Sequence, residues 1–113
     1  MVDRPWAPRR TEIIHLDDAG GLGHEQTGDR PHLVLTPQGY NAKSGLAICL
    51  RLTRQKKGYP FEVDISGLND PGVVLVDQII TADWRARKAF NRGFATAAEM
   101  AIIEPMLKAL LGL

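Results

Sequence analysis

The segment 24–31 holds the side chains of this sequence that are best suited to acid–base and electrostatic chemistry. Glu25 and Arg30 lie five residues apart in it. A carboxylate can remove a proton from a substrate, and the planar guanidinium can bind two oxygens of a phosphate group. Acids and arginines are also common in solvated surface loops, which is the favoured interpretation from these residues alone. The loop character follows from the density of nearby glycines, Gly20, Gly21, Gly23 and Gly28.

RNA is a substrate class for which this pair suits the reaction, because RNA carries its own nucleophile, the ribose 2′-OH. Cleavage needs a base for that proton, positive charge near the phosphate and a proton for the leaving 5′-oxygen. Glu25 is the candidate base and Arg30 the candidate phosphate clamp. The hydroxyl of Thr53 can donate a hydrogen bond to the same phosphate. His24 adjoins Glu25 and ordinarily titrates near neutral pH, so it is a candidate to share the proton transfer.

Other catalytic arrangements have less support in the sequence. His15, His24 and His32 are too widely spaced to indicate a ligand set, and there is neither a Cys-x-x-Cys nor a His-x-x-x-His pair. The loop glycines do not form a Walker motif, because no Gly-Lys-Ser/Thr follows them. We therefore expect no metal site and no cofactor.

Length and composition predict an ordinary globular protein. A chain of 113 residues is expected to form a single domain, with residues 1–11 as a loose N-terminal arm. No apolar run approaches the roughly 20 residues of a membrane span, and the polar start lacks the features of a secretory signal. The single cysteine, Cys49, forms no internal disulfide and is expected in the core, so a cytoplasmic location is predicted. A net charge of +1 still permits a local RNA site.

Hydrophobic patterning predicts short β-strands followed by one helix. The strands are expected over residues 12–17, 32–36, 46–53, 59–65 and 73–80, the last as a strand pair or one bent strand. Thr96 and Glu99 predict a capping box at the start of the helix. Pro105 is expected to kink or split that helix. These elements indicate a small barrel-like sheet with a packed terminal helix.

Five collinear blocks of this sequence resemble the MazF/PemK toxin family. They span residues 23–31, 33–37 with 40–41, 57–63, 72–78 and 83–87. Together they cover roughly residues 12–112 in the family's order and spacing. The block Lys57-Gly58-Tyr59-Pro60-Phe61-Glu62-Val63 is especially specific.

The resemblance implies an SH3-like barrel of the MazF/CcdB toxin type, mainly β with a C-terminal helix, that works as a homodimer. It implies a sequence-specific, metal-independent endoribonuclease that cleaves single-stranded RNA or mRNA and inhibits translation. The implied products are a 2′,3′-cyclic phosphate and a 5′-OH, and the implied inhibitor is a MazE/PemI-like antitoxin. The family's catalytic positions correspond here to Glu25, Arg30 and Thr53. Because the arginine pKa lies above about 12, Arg30 fits a clamp better than an acid, and the general acid stays open.

Further RNA contacts are expected around these positions. Trp84 could stack a base while its flanking arginines bind backbone, but a core tryptophan with solvated arginines is favoured. Lys56 and Lys57 are also favoured as a solvated turn, and Gln78 could equally read a base edge or hold the sheet. The candidate RNA-binding residues are Gln26, Arg51, Arg54, Lys56, Lys57, Gln78, Trp84, Arg85 and Arg87.

The first strand departs from the family pattern, since His15 replaces a tryptophan and residues 18–20 replace an aromatic-acid-proline turn. This difference bears on base preference and antitoxin binding more than on the chemistry. Two other functions therefore stay open. One is a CcdB-like protein-binding module, against which the Trp-free end Leu110-Leu111-Gly112-Leu113 speaks. The other is a catalytically inactive relative on the same fold.

Overall fold

The structure, a computed structural model, describes residues 6–17 and 31–113. Six strands form a single antiparallel sheet in the order β4-β5-β3-β2-β1-β6. This confirms a mainly β fold with a C-terminal helix. In chain order the elements are β1 (Glu12–His15), β2 (Pro31–Val34), α1 (Gln38–Ser44), β3 (Leu46–Thr53), β4 (Glu62–Ile65), β5 (Gly72–Asp83), β6 (Phe90–Phe94) and α2 (Ala97–Leu111).

Two glycines allow the ends of the sheet to approach each other. A Cβ atom on Gly67, just after β4, would collide with the carbonyl oxygen of Phe94 in β6. A Cβ atom on Gly93 would collide with the carbonyl oxygen of Gly67, and Gly93 also has a φ of +146°. Only glycine tolerates both conditions. The sheet therefore curls into a half-barrel, which agrees with the predicted barrel-like sheet.

The curled sheet buries apolar side chains on both faces. The inner face and α2 enclose the main core, whereas the outer face of β1, β2 and β3 packs under the N-terminal segment and the chain around Trp84. This double burial explains why β3 is almost continuously apolar rather than alternating. The main core contains Ile13, Leu33, Leu50, Leu52, Val63, Ile65, Val74, Val76, Ala95, Met100 and Ile103. The outer cluster contains Ala7, Ile14, Leu16, Val34, Ala47, Cys49, Ala82 and Trp84.

Cys49 lies fully buried in the outer cluster, as expected from the sequence. Burial raises the pKa of its thiol to about 12. The thiol is therefore protonated at neutral pH, and a protonated, inaccessible thiol is a poor nucleophile. Cys49 acts as a small core residue.

The helix α1 was not predicted, because it has only seven residues and too little length to show a periodic pattern. Its buried residue Asn41 explains why it forms here. The Asn41 side-chain amide donates to the carbonyl oxygens of Pro8 and Thr36, both at 2.9 Å, and accepts from the Thr36 hydroxyl at 2.6 Å. These bonds tie the N-terminal segment to the end of β2. Within the predicted loose arm, Ala7 and Pro8 are buried, whereas Trp6, Arg9 and Arg10 are exposed.

Other strand bounds differ from the predictions. β1 ends at residue 15 instead of 17, β2 ends at 34 instead of 36, and β4 begins at 62 instead of 59. β5 is one bent strand that is longer than expected, and β3 has the predicted bounds. β6 was missed because Phe90-Asn91-Arg92-Gly93-Phe94 shows no strand-like alternation of apolar residues.

The predicted capping box at the start of α2 is confirmed. The Thr96 hydroxyl accepts from the backbone N–H of Glu99 at 3.1 Å, and the Glu99 carboxylate accepts from the N–H of Thr96 at 2.8 Å. Glu99 also accepts from the N–H and the hydroxyl of Ser66, at 2.8 and 3.0 Å, which joins the helix to the end of β4. The helix continues through Pro105 as one element, so of the two predicted outcomes, a kink or a split, the split does not occur.

Candidate functional site

A bulge in β5 opens the sheet beside the end of β3. Leu50 pairs with Ile79, whereas Leu52 pairs with Val74, so a short step along β3 corresponds to a much longer stretch of β5. The extra residues bend β5 away from its neighbour. As a result Asp77 is exposed at the bend instead of being covered by the sheet.

A groove of about 410 Å³ lies at this bulge. Its walls come from the end of β3, the loop that leads to β4, and the bent part of β5. The structure brings four of the predicted site residues together there: Arg51, Thr53, Lys57 and Gln78. Its lining also includes Leu52, Gln55, Tyr59, Glu62, Leu75 and Asp77.

Thr53 ends β3 and lies where the groove meets a smaller cleft of about 20 Å³. Its hydroxyl oxygen accepts a hydrogen bond from the backbone N–H of Gln55 at 3.1 Å. A hydroxyl that accepts this bond keeps its own proton as a donor for a second partner. Pro31, the residue after Arg30 in the sequence, lines the same cleft. The predicted residues Glu25, Arg30, His24 and Gln26 lie outside the described residues.

The loop between β3 and β4 is folded around the carboxylate of Glu62. One carboxylate oxygen accepts from the backbone N–H of Lys57 at 2.9 Å, and the other accepts from the N–H of Gly58 at 2.8 Å. The hydrogen bond from the N–H of Lys57 is the largest cause of a lowered pKa of Glu62; burial opposes it, and smaller contributions from the N–H groups of Gly58 and Tyr59 lower the pKa further. This turn, with Gly58 at φ +82°, prevents residues 59–61 from extending the strand as predicted.

Arg54 and Lys56 border the groove region but do not line the groove itself. A side-chain nitrogen of Arg54 lies 3.4 Å from a carboxylate oxygen of Asp70. The Lys56 ammonium lies 3.0 Å from Asp64. Both ion pairs are exposed, and such pairs contribute only about 0–1 kcal/mol. An incoming phosphate can therefore compete for either cation at low cost.

Trp84 belongs to the outer cluster, and its flanking arginines lie beside that cluster rather than in the groove. Trp84 is only 4% exposed, and its indole N–H donates to the carbonyl oxygen of Asn41 at 3.0 Å. The Arg85 guanidinium covers the Trp84 ring at 4.6 Å from its centre and donates to Ala42. Arg87 donates to the carbonyl oxygen of Asp17 at 2.6 Å. This geometry fits the core interpretation of Trp84, because no ring face is offered to a base.

Sequence reasoning missed several groove residues, above all Tyr59, Glu62 and Asp77. Tyr59 and Glu62 belong to the most specific of the five blocks, so the block itself was the available signal. What the sequence did not reveal is the turn that brings them to the groove. The Glu62 carboxylate binds the backbone N–H groups of two residues that precede it in the chain. Such an interaction produces no periodic pattern in the sequence.

The described residues 6–17 and 31–113 contain no group of three or more His, Cys, Asp or Glu side chains arranged to hold a metal ion. Among the same residues, neither helix combines the length and apolar character needed to cross a membrane. In the groove, cations, a hydroxyl, amides and an aromatic ring line one space.

A curled antiparallel half-barrel with one terminal helix and a groove bearing cations defines a small β-barrel protein. The chain belongs to the family of PemK-like, MazF-like toxins of type II toxin–antitoxin systems, whose family model matches residues 9–111. It is 41% identical over 112 residues to the endoribonuclease toxin MazF of Escherichia coli strain K12, covering 99% of this chain and 100% of that protein.

Solved structures agree with this assignment. A crystal structure of MazF from Deinococcus radiodurans is 39% identical, with a TM-score of 0.84, and covers 96% of this chain and 100% of that one. A MazE–MazF crystal structure from the same organism is 35% identical, with a TM-score of 0.83 and the same coverage. The likeness extends over nearly the full length, so it includes the elements that build the groove.

Proposed function

We propose that this protein is an endoribonuclease toxin that cleaves single-stranded RNA at the groove between β3 and β5. The observation that carries the proposal is the meeting of Arg51, Thr53, Lys57 and Gln78 in one groove. Cations, a hydroxyl donor and an amide suit a ligand that carries both phosphates and bases. The name of the E. coli relative, an endoribonuclease toxin, supports this activity.

The proposed reaction uses the RNA's own 2′-OH as nucleophile. Glu25 removes its proton, and the 2′-oxygen forms a bond to phosphorus as the bond to the 5′-oxygen breaks. Arg30 and the Thr53 hydroxyl bind the phosphate oxygens as negative charge develops. The 5′-oxygen takes up a proton, for which His24 is a candidate donor. The products are a 2′,3′-cyclic phosphate and a 5′-OH, and the scheme requires no metal ion.

Binding and base selection are assigned to the rest of the groove. Arg51 and Lys57 bind RNA phosphates, while Gln78 at the β5 bulge presents an amide to base edges. An amide has both donors and an acceptor, so it can discriminate between bases. Arg54, Lys56 and Gln26 are proposed as further RNA contacts. Trp84, Arg85 and Arg87 lie away from the groove, and we assign them to the fold.

We also propose that the protein acts as a homodimer in the cytoplasm and is neutralised by a MazE/PemI-like antitoxin. A crystal structure of a MazE–MazF complex from a relative supports the antitoxin. We propose that an extended acidic segment of the antitoxin binds over the cations of the groove. The homodimer is supported by apolar side chains that α2 and the following residues leave exposed, and a second copy would cover them. These are Ile102, Leu110, Leu111 and Leu113.

Incubation of a long RNA with the purified protein in EDTA tests the activity. We expect cleavage by the unmodified protein and none by a Glu25→Ala/Arg30→Ala variant, with cyclic-phosphate ends on the upstream products. End mapping would also give the recognition sequence. If no RNA is cut, the endoribonuclease proposal fails, and a CcdB-like binding module or an inactive relative takes its place.

A further inference from the structure

Tyr59 is an aromatic residue in the groove to which the cleavage chemistry assigns no task. It is 58% exposed and lies in the groove wall beside Lys57. A single exposed aromatic residue is ordinary on a protein surface. Its position is what matters here, because the other exposed aromatic side chains of the described chain do not line the groove: Trp6, Tyr40, Phe90 and Phe94.

The backbone on both sides of Tyr59 is held by one residue. The Glu62 carboxylate binds the N–H groups of Lys57 and Gly58, which precede Tyr59. The backbone N–H of Glu62 donates to the carbonyl oxygen of Tyr59 at 3.1 Å. The loop thus presents the tyrosine from a fixed backbone although it has no regular secondary structure. A side chain carried by an ordered backbone loses less conformational entropy when it binds a ligand than one on a flexible loop.

The surroundings of Tyr59 match those of single-stranded nucleic-acid sites. Such sites combine cations that follow the backbone with aromatic rings on which bases stack. Arg51 and Lys57 supply the cations in this groove, and Gln78 supplies a polar group for a base edge. Stacking is open to every base, so it fixes where a base sits while a neighbouring polar group selects which base it is.

We propose that Tyr59 is the stacking platform for one base of the bound RNA, and that Glu62 is the positioning residue that holds it in place. This inference rests on the proposed ribonuclease function. It adds a binding step that is separate from the chemistry at Glu25, Arg30 and Thr53. Loss of the ring should therefore weaken RNA binding and leave the rate of the bound complex largely intact.

Steady-state cleavage of a mapped RNA target tests the platform. We expect Tyr59→Ala to raise KM about tenfold or more, the range for one lost base stack, and to change kcat less than about twofold. Tyr59→Phe keeps the ring and should restore KM. Tyr40→Ala is the matched control, because Tyr40 is also exposed (43%) but lies on α1. An unchanged KM in Tyr59→Ala would overturn the inference.

A double-mutant cycle tests the positioning role. Glu62→Gln should raise KM by a few-fold while Tyr59 is present and add little in a Tyr59→Ala background, because the effect of Glu62 passes through the ring. Glu104→Gln, an exposed carboxylate on α2 that pairs with Arg10, is the control. Fully additive effects would assign Glu62 to general loop structure and overturn its positioning role.

Scanning the target with single abasic nucleotides completes the test. An abasic nucleotide at one position of the target should raise the KM of the unmodified protein. The same abasic nucleotide should not change the KM of the Tyr59→Ala variant. A target with a 2′-O-methyl group at the cleaved nucleotide lacks the nucleophile and is not cut. Fluorescence polarisation with this target therefore measures binding separately from activity. If the unmodified protein cleaves but no position couples to Tyr59, only this inference fails. If it neither cleaves nor binds RNA, the proposed function fails with it.

Discussion

Two segments of this protein share the same sequence pattern, an aromatic residue next to basic residues, but have opposite structural roles. Lys56-Lys57-Gly58-Tyr59 and Trp84-Arg85-Ala86-Arg87 each place an aromatic residue beside cations. Tyr59 is 58% exposed and lines the groove, whereas Trp84 is 4% exposed and belongs to the outer core cluster. Composition alone therefore does not distinguish a ligand-binding aromatic residue from a structural one.

The groups that hold the two aromatic residues explain the difference. Trp84 directly follows β5, whose pairing with β3 delivers the ring to the buried outer face, where Asn41 accepts its N–H. Tyr59 lies in a loop, and Glu62 holds only its backbone. The first arrangement uses the ring itself as the anchor. The second anchors the main chain and leaves the ring available.

Removal of each ring provides the largest contrast. Trp84→Ala should lower the free energy of unfolding by about 3–5 kcal/mol, because it empties a packed site and removes one of the donors to the Asn41 carbonyl. Tyr59→Ala should change it by less than about 0.5 kcal/mol, as is usual for an exposed side chain. Urea denaturation followed by circular dichroism measures both. Equal losses would show that the two rings do not differ in structural role.

The same contrast marks the limit of the sequence analysis. β3 was predicted with its observed bounds because its long apolar run ends at polar residues, and the capping box was predicted because Thr96 and Glu99 interact locally. The groove depends on a register shift between β3 and β5 and on the hydrogen bonds that the Glu62 carboxylate accepts from the loop before it. Both arise from pairing between distant or irregular segments, so neither leaves a periodic pattern in the sequence.

Arg51, which lines the groove with Tyr59, and Arg85, which covers Trp84, should also differ in their effect on RNA binding. Arg51→Ala should reduce the slope of log affinity against log salt by about 0.7, the value for one phosphate contact on a single strand. Arg85→Ala should leave the slope unchanged, since its guanidinium covers Trp84 and donates to Ala42. Fluorescence polarisation across a salt series measures both variants. A matching slope change in Arg85→Ala would extend the RNA surface to that side.

The smallest expected effect is a difference in acid sensitivity. Hydrogen bonds from Lys57, Gly58 and Tyr59 place the folded-state pKa of Glu62 below its ordinary value of 4.5. The unfolded chain then binds the proton more readily, so the Glu62 contribution to stability is present above pH 4.5 and is lost as the pH falls through the folded pKa. In an NMR titration, the amide resonances of Lys57 and Gly58 should shift with a midpoint below 4.5.

Glu62→Gln should abolish that titration of the two amides, because the amide side chain does not ionise. The Trp84 indole resonance gives the internal comparison, since its N–H donates to the carbonyl oxygen of Asn41 and neither partner titrates in this range. Amides that still titrate in the variant would assign the shift to another group near the loop. Amides that stop titrating would show that the ionised Glu62 carboxylate holds the loop that carries Tyr59. Trp84, in contrast, is held by the neutral carbonyl group of Asn41.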